Sequence, residues 1–243
     1  MPHILVIESN PRPVCDRLVR TTGSDFGALY AGILTSLRGD VTTQIISPYE
    51  GESATDLTGF DGVAFTGSSV DWNTDDDRAA PLADVMRRAF AAGLPVIGSC
   101  NGMQLAASLL GGATGLSPQG REDGLACEIR LTEPGRTHPM MAGREAIYSA
   151  PCTHRDEVVR LPQGAVRLAG NAHSDVQAFV CEGDGMSFWG MQYHPEFEPS
   201  YLARYLKAMG QGTDGDLAAL SAPETPAAAR MRTTELRNWL ARL

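Results

Sequence analysis

Residues 93–112 read GLPVIGSCNGMQLAASLLGG: an apolar run, one cysteine between small residues, then a helix-forming stretch closed by two glycines. This order limits the fold sharply. A continuous apolar run suits a strand buried on both faces, and such a strand feeding directly into a helix is the unit of a parallel sheet. The bend between them leaves two roles for Cys100. It is either a small buried hydrophobe at a tight turn or a nucleophile held at a helix tip.

The rest of the first half repeats the strand–helix alternation. Ile4 to Ile7 is apolar throughout. A loop rich in Pro, Arg and Asn is expected next, and then Ser24 is placed to cap a helix. Phe26, Leu29, Tyr30, Ile33, Leu34 and Leu37 recur there at helical spacing, and Gly39 follows. Thr42 to Ile46 and Gly62 to Phe65 read as strands. Pro81 opens a helix with the stripe Leu82, Val85, Met86, Ala89 and Phe90. Leu94 to Ile97 is the strand before Cys100, and Asn101 to Leu110 the helix after it. The expected fold is α/β: a mostly parallel central sheet flanked by helices, a flavodoxin-like three-layer arrangement.

From about residue 125 short apolar runs recur between Gly, Pro and charged turns: Ala126–Leu131, Ile147–Ala150, Val166–Ala169, Gln177–Cys181 and Phe188–Tyr193. They predict an additional small β-rich portion. Tyr201 to Met209 reads as a helix, and residues 210–226 as a loose linker. A last helix carries Leu236, Trp239, Leu240 and Leu243 on one face, a stripe suited to packing on the domain or to meeting a partner. The expected organisation is one domain over 1–209, with 210–243 as linker and docked amphipathic helix.

Composition narrows the partners. A net charge of −9 with no basic stripe argues against nucleic acid. The N-terminal apolar run is short and lacks a charged leader, so it reads as a first strand rather than a signal peptide. No apolar stretch approaches the ~20 residues of a membrane helix. The five cysteines, at 15, 100, 127, 152 and 181, form no CxxC pair. A reducing cytoplasm, a metal-free site and no bound cofactor are the expectations.

A cysteine nucleophile fits the bend. Glycines at 98 and 102 let strand and helix pass closely around a strained elbow residue. Helix N–H groups favour a thiolate there, and the Asn101 N–H points where an oxyanion forms. A base is available in GMQYHPEFEPS. His194 ends a strand-like run, and Pro195 keeps the chain extended. Glu196, two residues on, therefore shares its side, and its carboxylate can hold the imidazole tautomer. Gly62–Phe65 ends in Thr66-Gly67-Ser68-Ser69, whose Ser68 N–H, with Gly67 as fallback, is the second candidate oxyanion donor.

These pieces, in this order, resemble the class I (triad-type) glutamine amidotransferase family. Its nucleophile motif is matched by Pro95-Val96-Ile97-Gly98-Ser99-Cys100-Asn101-Gly102-Met103-Gln104, and its closing motif by Gln192-Tyr193-His194-Pro195-Glu196. Gly120-Arg121-Glu122 and Thr153-His154-Arg155-Asp156-Glu157-Val158 resemble two further family segments. Gly23-Ser24-Asp25-Phe26 and Tyr49-Glu50-Gly51-Glu52 look like the glutaminase half of GMP synthase. The resemblance implies that Cys100 attacks a glutamine side-chain amide, His194 shuttles the proton and Glu196 orients His194. It also implies that Gln104 and the backbone of Thr153, His154 and Arg155 hold the α-amino and carboxylate groups. Arg155, where the family has glycine, is expected to crowd or recharge that pocket, and Ser69 replaces a frequent proline.

Only 47 residues follow Glu196, which is too few for a synthase domain, and no Gly-x-x-x-x-Gly-Lys-Ser/Thr phosphate loop occurs. The leading expectation is therefore a glutaminase that releases ammonia to a separate synthase. A free-standing hydrolase or transferase of γ-glutamyl amides is the alternative, and a non-catalytic module on the same fold is the third reading.

Overall fold

The computed structural model describes residues 1–243. The strands and helices follow the chain as β1 (His3–Ile7), α1 (Arg12–Thr22), α2 (Phe26–Leu37), β2 (Thr42–Ile46), β3 (Gly62–Phe65), α3 (Ala80–Ala91), β4 (Val96–Ser99) and α4 (Asn101–Leu109). The second half runs β5 (Ala113–Leu116), β6 (Glu122–Leu131), α5 (Glu133–Thr137), β7 (Ile147–His154), β8 (Asp156–Arg160), β9 (Val166–Gly170), β10 (Ala178–Gly183) and β11 (Met186–Met191). Four helices close the chain: α6 (Pro199–Met209), α7 (Asp214–Ala219), α8 (Pro226–Arg232) and α9 (Thr234–Leu240).

Nine strands form one sheet in the order β2-β1-β3-β4-β11-β10-β9-β6-β7. The pairs from β2 through β11 are parallel and those from β11 to β7 antiparallel. The fold is thus the α/β sheet flanked by helices. Much of the β-rich second half extends that same sheet. A separate two-stranded sheet, β5 with β8, is the small extra β unit.

The period-2 alternation of side chains splits the core between the two faces. Ile4 and Val6 of β1 face one cluster, with Tyr30 and Leu34 of α2 and Leu236, Trp239 and Leu240 of α9. Leu5 and Ile7 face the other, with Val85 and Met86 of α3 and Met103 of α4. Trp239 lies against Gly62, where a Cβ would come within 2.8 Å of the indole. Arg144 and Glu235, both fully buried, pair across this face through Arg144 Nε and Glu235 Oε1 at 2.9 Å. No helix is long and apolar enough to cross a membrane.

Three local expectations differ from the structure. The segment read as a Pro/Arg loop is helix α1. Its prolines fall at Pro11, before the helix, and Pro13, in the first turn, where no intrahelical N–H is required. Asp25, not Ser24, caps α2, accepting from the Ala28 N–H at 2.8 Å. The stretch read as a loose linker holds α7, whose start is fixed by a reciprocal capping box between Thr213 and Asp216.

Candidate active site

The C-terminal ends of four neighbouring parallel strands, β1, β3, β4 and β11, meet at one edge of the sheet. This is where ligand sites of open α/β sheets gather. β4 passes directly into Cys100, which adopts φ 48° and ψ −104° before α4 begins. A non-glycine residue there is strained, and the strain is held in place by packing. A Cβ on Gly98 would come within 2.6 Å of the Gly102 carbonyl carbon, and one on Gly102 within 2.7 Å of Phe65 Cβ. Both glycines are therefore required by close approach of strand and helix. The Cys100 N–H donates to Met191 O at 2.7 Å, tying the elbow to β11.

β11 delivers the second component. His194 follows Gln192 and Tyr193 past its end, fully buried, with Nδ1 2.7 Å from Glu196 Oε1. Its ring stacks on Phe197 at 4.2 Å and 2°. Nε2 has no hydrogen-bond partner. Burial pushes this imidazole down, but the Glu196 carboxylate and the adjoining Cys100 thiol outweigh it and bring it up to about 10. Glu196 is held in turn: Ser99 Oγ donates to its Oε2 at 3.1 Å, and Tyr30 OH lies 3.1 Å from Ser99 Oγ. From the other side, Arg232 of α8 donates to Pro195 O, between the two residues. Tyr30, Ser99 and Arg232 are partners that the sequence reading missed. No local signal marks them, because each contact joins segments distant in the chain.

The cavity at this edge is about 240 Å³ and brings Cys100 together with Ser68, Asn101, Gln104, Thr153, His154 and Arg155. Gly67 lies just outside it, beneath the imidazole; a Cβ there would be 2.5 Å from His194 Cε1. The backbone N–H groups of Ser68 and Asn101 have no protein acceptor. Gln104 Nε2 donates to Asp156 O at 2.7 Å and to Gln192 Oε1 at 3.2 Å, leaving its carbonyl oxygen as the free acceptor. Arg155 does not enter the pocket as a free charge. Its guanidinium grips Asp156 through Nε and Nη2 at 3.0 and 2.9 Å and donates to Asp71 O. Arg121, also on the wall, is bound by Asp123 at 2.9 Å, Thr153 Oγ1 at 3.0 Å and Gln211 Oε1 at 3.1 Å.

A second Cys–His–Glu group lies on β6 and β7, where the register sets Glu122 opposite His154. The ligand atoms of Glu122, Cys152 and His154 lie within 4.8 Å of one another, a grouping hidden by their spacing in the sequence. Their polar atoms are already engaged. His154 Nε2 meets Glu122 Oε2 at 2.9 Å, His154 Nδ1 meets Asp156 O at 3.1 Å, and Gln177 and Asn171 donate to the same carboxylate. Burial, with Glu122 beside it, holds the Cys152 thiol well above its usual range. Such a buried neutral thiol is chemically quiet.

The fold defines a class: α/β proteins with a mostly parallel sheet flanked by helices, here with a strained cysteine elbow at the strand ends. The chain belongs to the class I glutamine amidotransferase family, whose model matches residues 33–208. A γ-glutamyl-L-1-hydroxyisopropylamide hydrolase of a Pseudomonas species is 30% identical over 84% of this chain and 71% of that protein. The GMP synthase of Nitrosococcus oceani is 38% identical over 44% of this chain, a match spanning only 21% of the synthase. A glutamine amidotransferase of Thermotoga maritima superposes with a TM-score of 0.75 over 99% of this chain and 97% of its own. At 17% identity it attests the fold alone.

Proposed function

We propose that the chain is a cysteine amidohydrolase of γ-glutamyl amides, with glutamine as the smallest such substrate. The observation that carries this reading is the His194–Glu196 pair at 2.7 Å, with Nε2 unpartnered next to the Cys100 elbow. Cys100 Sγ bonds to the γ-carbonyl carbon with the thiol proton held on His194 Nε2. The carbonyl oxygen becomes an oxyanion facing the Ser68 and Asn101 N–H groups, a pairing worth about 10²–10³ in rate per donor. The tetrahedral carbon then expels the amine, which takes the proton from His194 and leaves a γ-glutamyl thioester. A water that gives its proton back to His194 attacks the thioester carbonyl. Glutamate leaves, and the proton returns to Cys100. Glu196 holds the imidazole and balances its charge throughout.

In this reading the Gln104 carbonyl oxygen accepts from the substrate α-ammonium, and the backbone of Thr153, His154 and Arg155, which line the same cavity, holds the α-carboxylate. A cavity of about 240 Å³ suits a γ-glutamyl group with a small amine. Trp72 and Val70 on its wall give that amine an apolar neighbour. Sequence reading put ammonia donation to a synthase first. The 84% span matched to a γ-glutamyl amide hydrolase supports the free-standing reaction instead. The GMP synthase relatives support the second reading, a glutaminase serving a separate synthase.

Glutamate release by the full chain from glutamine and from a panel of γ-glutamyl amides and dipeptides separates the two. Fast release from substituted amides, lost in Cys100→Ala, is expected. Slow release confined to glutamine supports the synthase-dependent reading. Release that survives Cys100→Ala overturns both.

A further inference from the structure

Between β1 and β3 lies a hydrogen-bonded buttress that the proposed chemistry does not use directly. Glu8 and Asn10 follow β1, buried at 2% and 0% exposure. Glu8 Oε1 accepts from the Asn10 N–H at 2.9 Å and from Asn10 Nδ2 at 2.7 Å, while Glu8 Oε2 accepts from the Gly27 N–H at 2.6 Å. With its backbone N–H and its side-chain Nδ2 both donating to that carboxylate, Asn10 presents Oδ1 to the turn after β3. There it accepts from the Ser69 N–H at 2.7 Å and from Ser68 Oγ at 3.1 Å. Ser68 Oγ also donates to Ser9 O at 2.8 Å, and Ser9 is doubly bonded to Thr66. Ser69 Oγ lies 2.9 Å from Tyr205 OH.

The consequence is geometric. Residues 66–69 form a short turn between a buried strand and the cavity, held by their contacts with Ser9, Asn10 and Tyr205. The N–H groups of Gly67 and Ser68 have no protein acceptor, and Ser68 lines the cavity that holds Cys100. A peptide plane fixed on both sides of a free N–H is a preorganised donor, which loses no reorganisation energy when negative charge develops. An Asn amide suits the task because one side chain supplies a donor to the acid and an acceptor to the turn.

We infer that Asn10 is a positioning residue that sets the Ser68 oxyanion donor in the free chain, so that turnover needs no partner to arrange the turn. This role rests on the proposed γ-glutamyl amide hydrolysis. It distinguishes a self-sufficient hydrolase from a glutaminase whose oxyanion turn waits for a synthase.

The test compares wild type, Asn10→Ala and the milder Ser68→Ala in the full chain, with γ-glutamyl-p-nitroanilide as substrate probe and iodoacetamide as thiol probe. Alkylation of Cys100 needs the thiol and its base but no oxyanion donor, so it reports the site's integrity separately from the turn. The expected result is a kcat lowered about 10²-fold in Asn10→Ala and about 10-fold in Ser68→Ala. KM and the alkylation rate should both stay within about threefold of wild type. An unchanged kcat in both variants overturns the role. So does a parallel fall of kcat and alkylation in both, which makes Asn10 a general structural residue. Wild-type chain that releases no product removes the proposed function and this role together. Wild-type turnover with unaffected variants removes the role alone.

Discussion

Gly67→Ala isolates one steric requirement of the site. The backbone at Gly67 is not left-handed, so alanine meets no conformational penalty there. Its Cβ, however, would sit 2.5 Å from His194 Cε1. Ordinary contact begins near 3.4 Å, so the imidazole must retreat by about 0.9 Å. It has nowhere to go without loss, being stacked on Phe197 and bonded to Glu196 at 2.7 Å. A misplacement of about 1 Å in catalytic geometry costs about 10²-fold in rate, equivalent to about 2.7 kcal/mol of barrier. The overpacking itself lowers stability by about 1–3 kcal/mol. Steady-state kinetics on a γ-glutamyl amide, with thermal denaturation as control, should show kcat/KM down about 10²-fold in a still folded protein. Activity within threefold of wild type would refute the argument that Gly67 is glycine to make room for His194.

Arg144→Met removes one partner of a fully buried ion pair and leaves Glu235 uncompensated. The expected loss is about 3–5 kcal/mol, read from denaturant unfolding midpoints. Glu8, raised by burial from its ordinary 4.5 to about 7, stays protonated in the folded protein over a range where the unfolded chain ionises it. Its contribution is therefore fully present below about pH 4.5 and is lost as pH rises through about 7. Unfolding free energies measured across that window should fall by an amount absent in Glu8→Gln; parallel curves for the two proteins would contradict the assignment. In the same preparation, thiol labelling under native conditions should leave Cys152 unmodified, its thiol being buried and held well above the usual range.

What sequence reading captured was local. The Cys100 elbow depends on glycines two residues to either side, and His194 and Glu196 are set by the two-residue repeat of an extended chain. These constraints survive any packing. The parallel half was legible because β1, β3 and β4 are short, largely apolar runs buried on both faces, between helical stripes. The missed features are relations between distant segments. Asn10 reaches the turn 59 residues on, and Ser99 reaches Glu196 97 residues on. Glu122 meets His154 only through the β6–β7 register. Helix α1 was hidden by prolines whose positions at its start are harmless. Helix α7 was hidden by a composition of small polar residues, although its Thr213–Asp216 capping pair was present to be read.

The central claim is that Cys100, and not Cys152 of the second Cys–His–Glu group, carries the γ-glutamyl group. Rapid acid quenching during turnover of a γ-glutamyl amide, followed by peptide mass spectrometry, tests it directly. The account predicts a γ-glutamyl adduct on the peptide containing Cys100, absent from Cys100→Ala and undiminished in Cys152→Ser. An adduct on Cys152, or full turnover by Cys100→Ala, would contradict it.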